Sequence, residues 1–162
     1  MRIAHMGVLS GCLLATTAPI YPTAQAALLY NNAAGLCLAV QNGQTANFTP
    51  VVLEPCPGAI PPQAYAQQWA VYGPAILAPG TLNQRQLCLD RYLAGTTVGT
   101  QVEIYPCNGT AAQNWFFNLS GQIQDPKSGL CLGLVPVLPN NVDQQLTMQP
   151  CGSDIFQQWS IN

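Results

Sequence analysis

Two carboxylates and a phenol stand at regular offsets from one pair of cysteines. Asp90 lies two residues after Cys88, Tyr105 two before Cys107, and Glu103 two before Tyr105. If Cys88 and Cys107 face each other on antiparallel strands, Asp90 lies opposite Tyr105 on one surface, with Cβ atoms about 5 Å apart, and Glu103 follows on that surface. An aromatic plane beside such acceptors suits a neutral sugar: the ring packs under the apolar face of a pyranose while carboxylates or amides accept from adjacent hydroxyls. Asn108 and Gln113 add amides just beyond Cys107. The same construction elsewhere gives Ala39 with Glu54 and Gly133 with Gln149, neither with an aromatic. A plainer reading stands beside this one, in which Asp90 forms a local charge pair with Arg91 and Tyr105 covers the disulfide.

Other chemistry is poorly served. Glycan hydrolysis needs two carboxylates at a defined separation in a cleft, whereas Asp90 and Glu103 are both assigned to one shallow lobe. The only histidine, His5, lies in an N-terminal leader, so the rest of the chain can hold no Ser-His-Asp, Cys-His or histidine-containing zinc site. The chain is therefore expected not to be an enzyme and to carry no cofactor and no metal. Charged residues are 6% of its 162 positions, against about 25% in an ordinary soluble protein. No basic patch can be built from Arg85, Arg91 and Lys127, which argues against nucleic acid as a partner.

The elements that must position these residues are written three times. Gln67-Gln68-Trp69, Gln113-Asn114-Trp115 and Gln157-Gln158-Trp159 contain the only tryptophans, 46 and then 44 residues apart. Each follows a Pro-Cys pair (Cys56, Cys107, Cys151), and each of those cysteines has a Leu-Cys-Leu partner upstream (Cys37, Cys88, Cys131). A period of this size marks one supersecondary unit that must assemble with its copies to bury its apolar face. Over roughly residues 29 to 162 the pattern resembles the ricin B-chain type of lectin domain. That resemblance implies an all-β fold, a β-trefoil of three Q-x-W repeats. It also implies which residues hold sugar: an Asp after Cys-Leu, an aromatic two before the second Cys, an Asn ahead of Gln-x-Trp, and a Gln that braces the Asp. The middle repeat matches with Asp90, Tyr105 and Gln113 and departs at Ala112, where the Asn would stand.

Residues 1–26 read as a cleaved signal peptide: Arg2, an apolar run from Met6 to Ile20, and the small-x-small site Ala24-Gln25-Ala26. Leu9-Ser10-Gly11-Cys12 also resembles a bacterial lipoprotein box, giving a lipid-anchored alternative through Cys12. No other segment is long enough to span a bilayer. Removing the leader leaves six cysteines, the even number expected of an exported, secreted domain. Six allow 15 connectivities; the threefold pattern favours three intra-repeat disulfides, Cys37 with Cys56, Cys88 with Cys107 and Cys131 with Cys151.

A single domain over 27–162 is expected, with repeats at about 28–73, 74–121 and 122–162 and about twelve short strands in three groups of four. The expected strands lie near 27–30, 36–40, 50–54, 75–77, 86–89, 101–105, 122–124, 130–132 and 145–149, with an Asn-Gly turn at Asn42-Gly43. The tryptophans and the leucines of Leu-Cys-Leu are expected in the core, and Gln67, Gln113 and Gln157 are expected to hold loops. The extra residues between Cys56 and Trp69, around Pro61-Pro62, belong in a surface loop. Two functional classes follow. One is a secreted carbohydrate-binding protein with at most one well-formed sugar site, formed by Asp90, Tyr105, Glu103, Asn108 and Gln113 in the middle repeat; its partners are glycans or glycoproteins, and a separate toxin or enzyme chain is a further candidate. The other is a trefoil that has lost its sugar sites and acts as a protein-interaction module: a toxin receptor-binding subunit, a protease inhibitor or a structural extracellular protein.

Overall fold

Alternation of apolar and polar residues over short runs, broken by Gly, Pro and Asn, produces strands and no α-helix in the described part of the chain. The computed structural model describes residues 26–57, 66–79, 86–135 and 141–162. The leader and the Pro61-Pro62 insertion lie outside the described residues, within which no helix is long and apolar enough to cross a membrane.

Three hairpins form the centre: β3 (Leu36–Val40) with β4 (Thr49–Glu54), β7 (Leu87–Arg91) with β8 (Val102–Pro106), and β11 (Cys131–Gly133) with β12 (Thr147–Gln149). Each is flanked by two outer strands, β2 (Leu29–Asn31) and β13 (Trp159–Ile161), β6 (Ala75–Leu77) and β5 (Trp69–Tyr72), or β10 (Ile123–Gln124) and β9 (Phe116–Phe117). A short β1 (Ala26–Ala27) pairs with β5. The hairpins close on one another through β4 against β8 and through the isolated bridges Gln101 to Thr147 and Val52 to Gln145. This is a β-trefoil with thirteen strands among the described residues, and the strands expected from sequence fall within two residues of those observed.

The core carries the same threefold signature. Trp69, Trp115 and Trp159 are buried, and each indole N–H donates to a carbonyl of the preceding Leu-Cys-Leu: Leu38 at 2.9 Å, Leu89 at 2.9 Å and Leu132 at 3.2 Å. A buried tryptophan needs a partner for that N–H, and the strand carbonyl provides it at one place in every repeat. The disulfides are Cys37–Cys56, Cys88–Cys107 and Cys131–Cys151, with Cα separations of 4.9, 5.1 and 5.0 Å. Each closes a loop of about 20 residues, worth roughly 3 kcal/mol in the chain-entropy account.

One expectation about register is overturned. Asp90 does not face Tyr105: it lies opposite Glu103, and Cys88 lies opposite Tyr105. The outer hairpins show the same two-residue shift, with Ala39 opposite Val52 rather than Glu54 and Gly133 opposite Thr147 rather than Gln149. The register that pairs Leu87 with Pro106 continues in the Cys107 N–H, which donates to the Gln86 carbonyl at 3.0 Å, so Cys107 stands opposite Gln86 and its disulfide reaches diagonally across the ladder to Cys88. A shift of two preserves side-chain parity, so Asp90, Glu103 and Tyr105 still share one face.

Candidate functional site

On β7, Leu87 and Leu89 enter the core while Cys88 and Asp90 take the opposite face. That face carries a pocket of about 290 Å³, where Asp90, Glu103 and Tyr105 meet Asn108 and Thr110 from the following loop. Four of the five residues expected to form a site therefore line one pocket. The fifth, Gln113, stands behind it: its Nε2 donates to Asp90 Oδ2 at 2.7 Å and to the Pro106 carbonyl at 2.9 Å, and its Oε1 accepts from the Asn108 N–H at 2.8 Å. Gln113 thus aims the Asp90 carboxylate and fixes the loop carrying Asn108, while itself buried.

The two acids are buried beneath the pocket floor. Asp90 is 5% exposed and Glu103 3%. Burial raises the Asp90 pKa above the ordinary carboxylate range, an effect opposed by the Gln113 hydrogen bond and the nearby Arg91 charge. Glu103 is pushed up to about 7, first by burial and then by the Asp90 charge across the ladder. The pair thus favours holding a proton near neutrality, which would let Glu103 donate a hydrogen bond while Asp90 accepts.

Arg91 is not Asp90's partner. Strand alternation turns it inward, where Nε lies 3.2 Å from Asp125 Oδ2 and both side chains are almost wholly buried. Its Nη1 donates to the Ala94 carbonyl at 3.2 Å and to the Gly95 carbonyl, and Nη2 to the Ala111 carbonyl at 3.0 Å. Asp125 also accepts from the Ser128 N–H at 2.8 Å. Arg91 therefore fastens two loops, around Ala94 and Ala111, that wall the pocket.

Residues not singled out from sequence complete the lining. Phe48, from the loop before β4, brings its ring to 4.9 Å from that of Tyr105, tilted by 39°, and meets Tyr92 edge-on at 6.1 Å. Leu93, Ala94 and Ala112 supply the remaining apolar wall. A signal for Phe48 was present: shifting by the 51 residues that relate Cys37 to Cys88 sets it on Gly99, so one repeat has a bulky aromatic where the next has glycine. A larger cavity of about 540 Å³, lined by Tyr72, Pro74, Leu77 and the Cys88–Cys107 disulfide, contains no carboxylate.

The outer lobes are filled where the middle one is hollow. In repeat one, the places of Asp90 and Glu103 are taken by Ala39 and Val52, both fully buried. Gln67 still donates to the Pro55 carbonyl at 2.9 Å, yet its Oε1 has no partner among the described residues. Its counterpart donor would be residue 57, a proline without an N–H. In repeat three Gly133 replaces the acid, and a Cβ there would lie 2.9 Å from Cγ of Gln157, which occupies the space. Gln157 keeps its bonds to the Pro150 carbonyl at 2.7 Å and from the Gly152 N–H at 3.1 Å. Its scaffolding role is independent of any acid.

Comparison with known proteins agrees with this fold. The family described as "Ricin-type beta-trefoil lectin domain" matches residues 25–159. A probable alpha-galactosidase A of Aspergillus clavatus is 30% identical over 131 residues, 79% of this chain; the chain spans about a fifth of that protein, 21% of its length. Among solved structures, the agglutinin of Abrus precatorius superposes with a TM-score of 0.71 at 25% identity, covering 90% of this chain and 50% of that one. A non-toxic homologue of type II RIPs from Momordica charantia, in complex with alpha-methyl-D-galactoside, gives 0.69 at 24% identity over 87% of this chain and 48% of that one.

Proposed function

The chain belongs to the ricin-type β-trefoil lectin family, and from that premise we propose that it is a secreted carbohydrate-binding protein with one sugar site, in its middle repeat. The observation that carries the reading is the contrast among lobes: two buried acids with an aromatic beside them in repeat two, against apolar filling in repeat one and a glutamine packed over a glycine in repeat three. In this site Asp90, oriented by Gln113, accepts from one hydroxyl of the pyranose. Glu103 engages its neighbour, Tyr105 packs under the apolar face, and Asn108 closes the rim.

Secretion is supported by the leader pattern and by three disulfides, which persist in oxidising compartments. A stretch resembling this chain within a probable alpha-galactosidase suits a module that holds glycan while another chain does the chemistry. A single shallow site lacks the multivalent gain of three, so the target is a densely glycosylated surface.

A glycan array probed with the purified protein tests this reading. The site predicts a hit that disappears in Asp90→Ala and in Tyr105→Ala, with far-UV circular dichroism unchanged. Binding that survives both substitutions, or a protein partner captured regardless of free sugar, would favour the interaction-module reading instead.

A further inference from the structure

Among the described residues, five other than glycine have positive φ: Asn42, Phe48, Leu93, Ala94 and Asp143. Asn and Asp tolerate this region through their short polar side chains, whereas a bulky apolar residue there is strained. The three apolar members of the set, Phe48 at φ 66°, Leu93 at 50° and Ala94 at 56°, all line the middle pocket. Elsewhere the fold uses compatible residues at the same places. The Phe48 N–H donates to the Ile104 carbonyl at 2.9 Å, the Gly99 N–H to the Met148 carbonyl at 2.8 Å, and the Asp143 N–H to the Leu53 carbonyl at 2.8 Å. These three are threefold counterparts, each leaning on the next lobe. Leu93 and Ala94 likewise correspond to Asn42 and Gly43 of repeat one, both with positive φ.

Strain confined to one pocket points to a use for these side chains there. They do little for the core, since Phe48 is 48% exposed and Leu93 74%. Resting on the sugar-site reading above, we infer that Phe48, donated by repeat one, and Leu93 form an apolar wall that selects glycosides bearing an apolar substituent next to the pyranose bound at Asp90. The lining bears this out chemically. At Ala112 the pocket offers a methyl group, and Phe48 sets a second aromatic ring 4.9 Å from that of Tyr105. A second hydroxyl-rich unit would meet no hydrogen-bonding side chain on that wall, whereas an aryl or alkyl group would be covered.

Isothermal titration with matched methyl and p-nitrophenyl glycosides of galactose, N-acetylgalactosamine, glucose and mannose tests the wall. For the sugar that binds, the p-nitrophenyl glycoside is expected to bind about tenfold more tightly than the methyl glycoside, the scale of one aromatic contact. In Phe48→Gly and in Leu93→Asn, which install the residue types found at the counterpart positions, that preference falls to within about twofold. Methyl-glycoside affinity falls less than p-nitrophenyl-glycoside affinity, and the melting temperature holds or rises. A preference that persists in both variants, an equal loss for both glycosides, or a lowered melting temperature overturns the wall while leaving the sugar site standing. Failure of the unmodified protein to bind any of the eight compounds overturns the site and the wall together.

Discussion

The first and middle lobes share their backbone and differ in what a few equivalent positions hold. Ala39, Val52 and Glu54 in one stand where Asp90, Glu103 and Tyr105 stand in the other, with Asn42 against Leu93 and Asp143 against Phe48. The first lobe is apolar inside and acidic outside: burial raises the Glu54 pKa, the Asn42 backbone opposes this, and Asp143 adds like-charge repulsion. The middle lobe reverses the arrangement, with acids inside and an aromatic and aliphatic rim outside. Scaffold and site are therefore separable. Cysteines, tryptophans and Gln-x-Trp glutamines repeat because every lobe needs them, and the acids and aromatics of the proposed site stand at positions that vary from lobe to lobe.

The scaffold half of that comparison breaks if the lobes are not energetically alike. Trp69→Ala, Trp115→Ala and Trp159→Ala should each cost about 3–5 kcal/mol, the usual loss for a buried tryptophan. Denaturant unfolding measures it, and a cost confined to one lobe would end the threefold account. Next comes a feature unique to the middle lobe. Arg91 replaces the Val40 of repeat one, and Arg91→Met strands a buried Asp125 and frees the carbonyls of Ala94, Gly95 and Ala111. A loss of about 3 kcal/mol is expected, with weakened sugar binding because the pocket walls lose their fastening.

The smallest effect concerns pH. The folded-state pKa of Glu103 is raised from 4.5 to about 7, so folding favours the protonated acid. Its contribution is fully present below pH 4.5 and is lost as pH rises through 7. Glu103 borders a pocket, and the higher effective dielectric there keeps the loss to about 1–2 kcal/mol. Melting temperatures recorded from pH 4 to 8 should decline across that window, and Glu103→Gln should flatten the decline. A decline unchanged by the substitution would assign the effect to another group.

Much of this was legible in the sequence, because a threefold scaffold repeats its constraints. Cys37, Cys88 and Cys131 announced the hairpins, and the indoles announced the core. The register was misjudged because a disulfide was read as a rung of the ladder, when it joins diagonal positions: Cys88 stands opposite Tyr105, and the Cys107 N–H bonds to the Gln86 carbonyl. Phe48 and Leu93 escaped notice for another reason: their importance lies in positive φ and in one repeat leaning on the next, and neither shows in local pattern. Arg91 was weighed against Asp90, its neighbour in sequence, while strand alternation gives it to Asp125.

The claim that the middle lobe alone binds sugar is tested most directly by amide chemical-shift mapping, titrating the labelled protein with the sugar that gives the strongest array signal. Shifts are predicted at Asp90, Glu103, Tyr105 and Asn108, with Ala39, Val52, Gly133 and Thr147 unmoved. Saturable shifts at the outer-lobe positions, or none at the four middle-lobe ones, would contradict it.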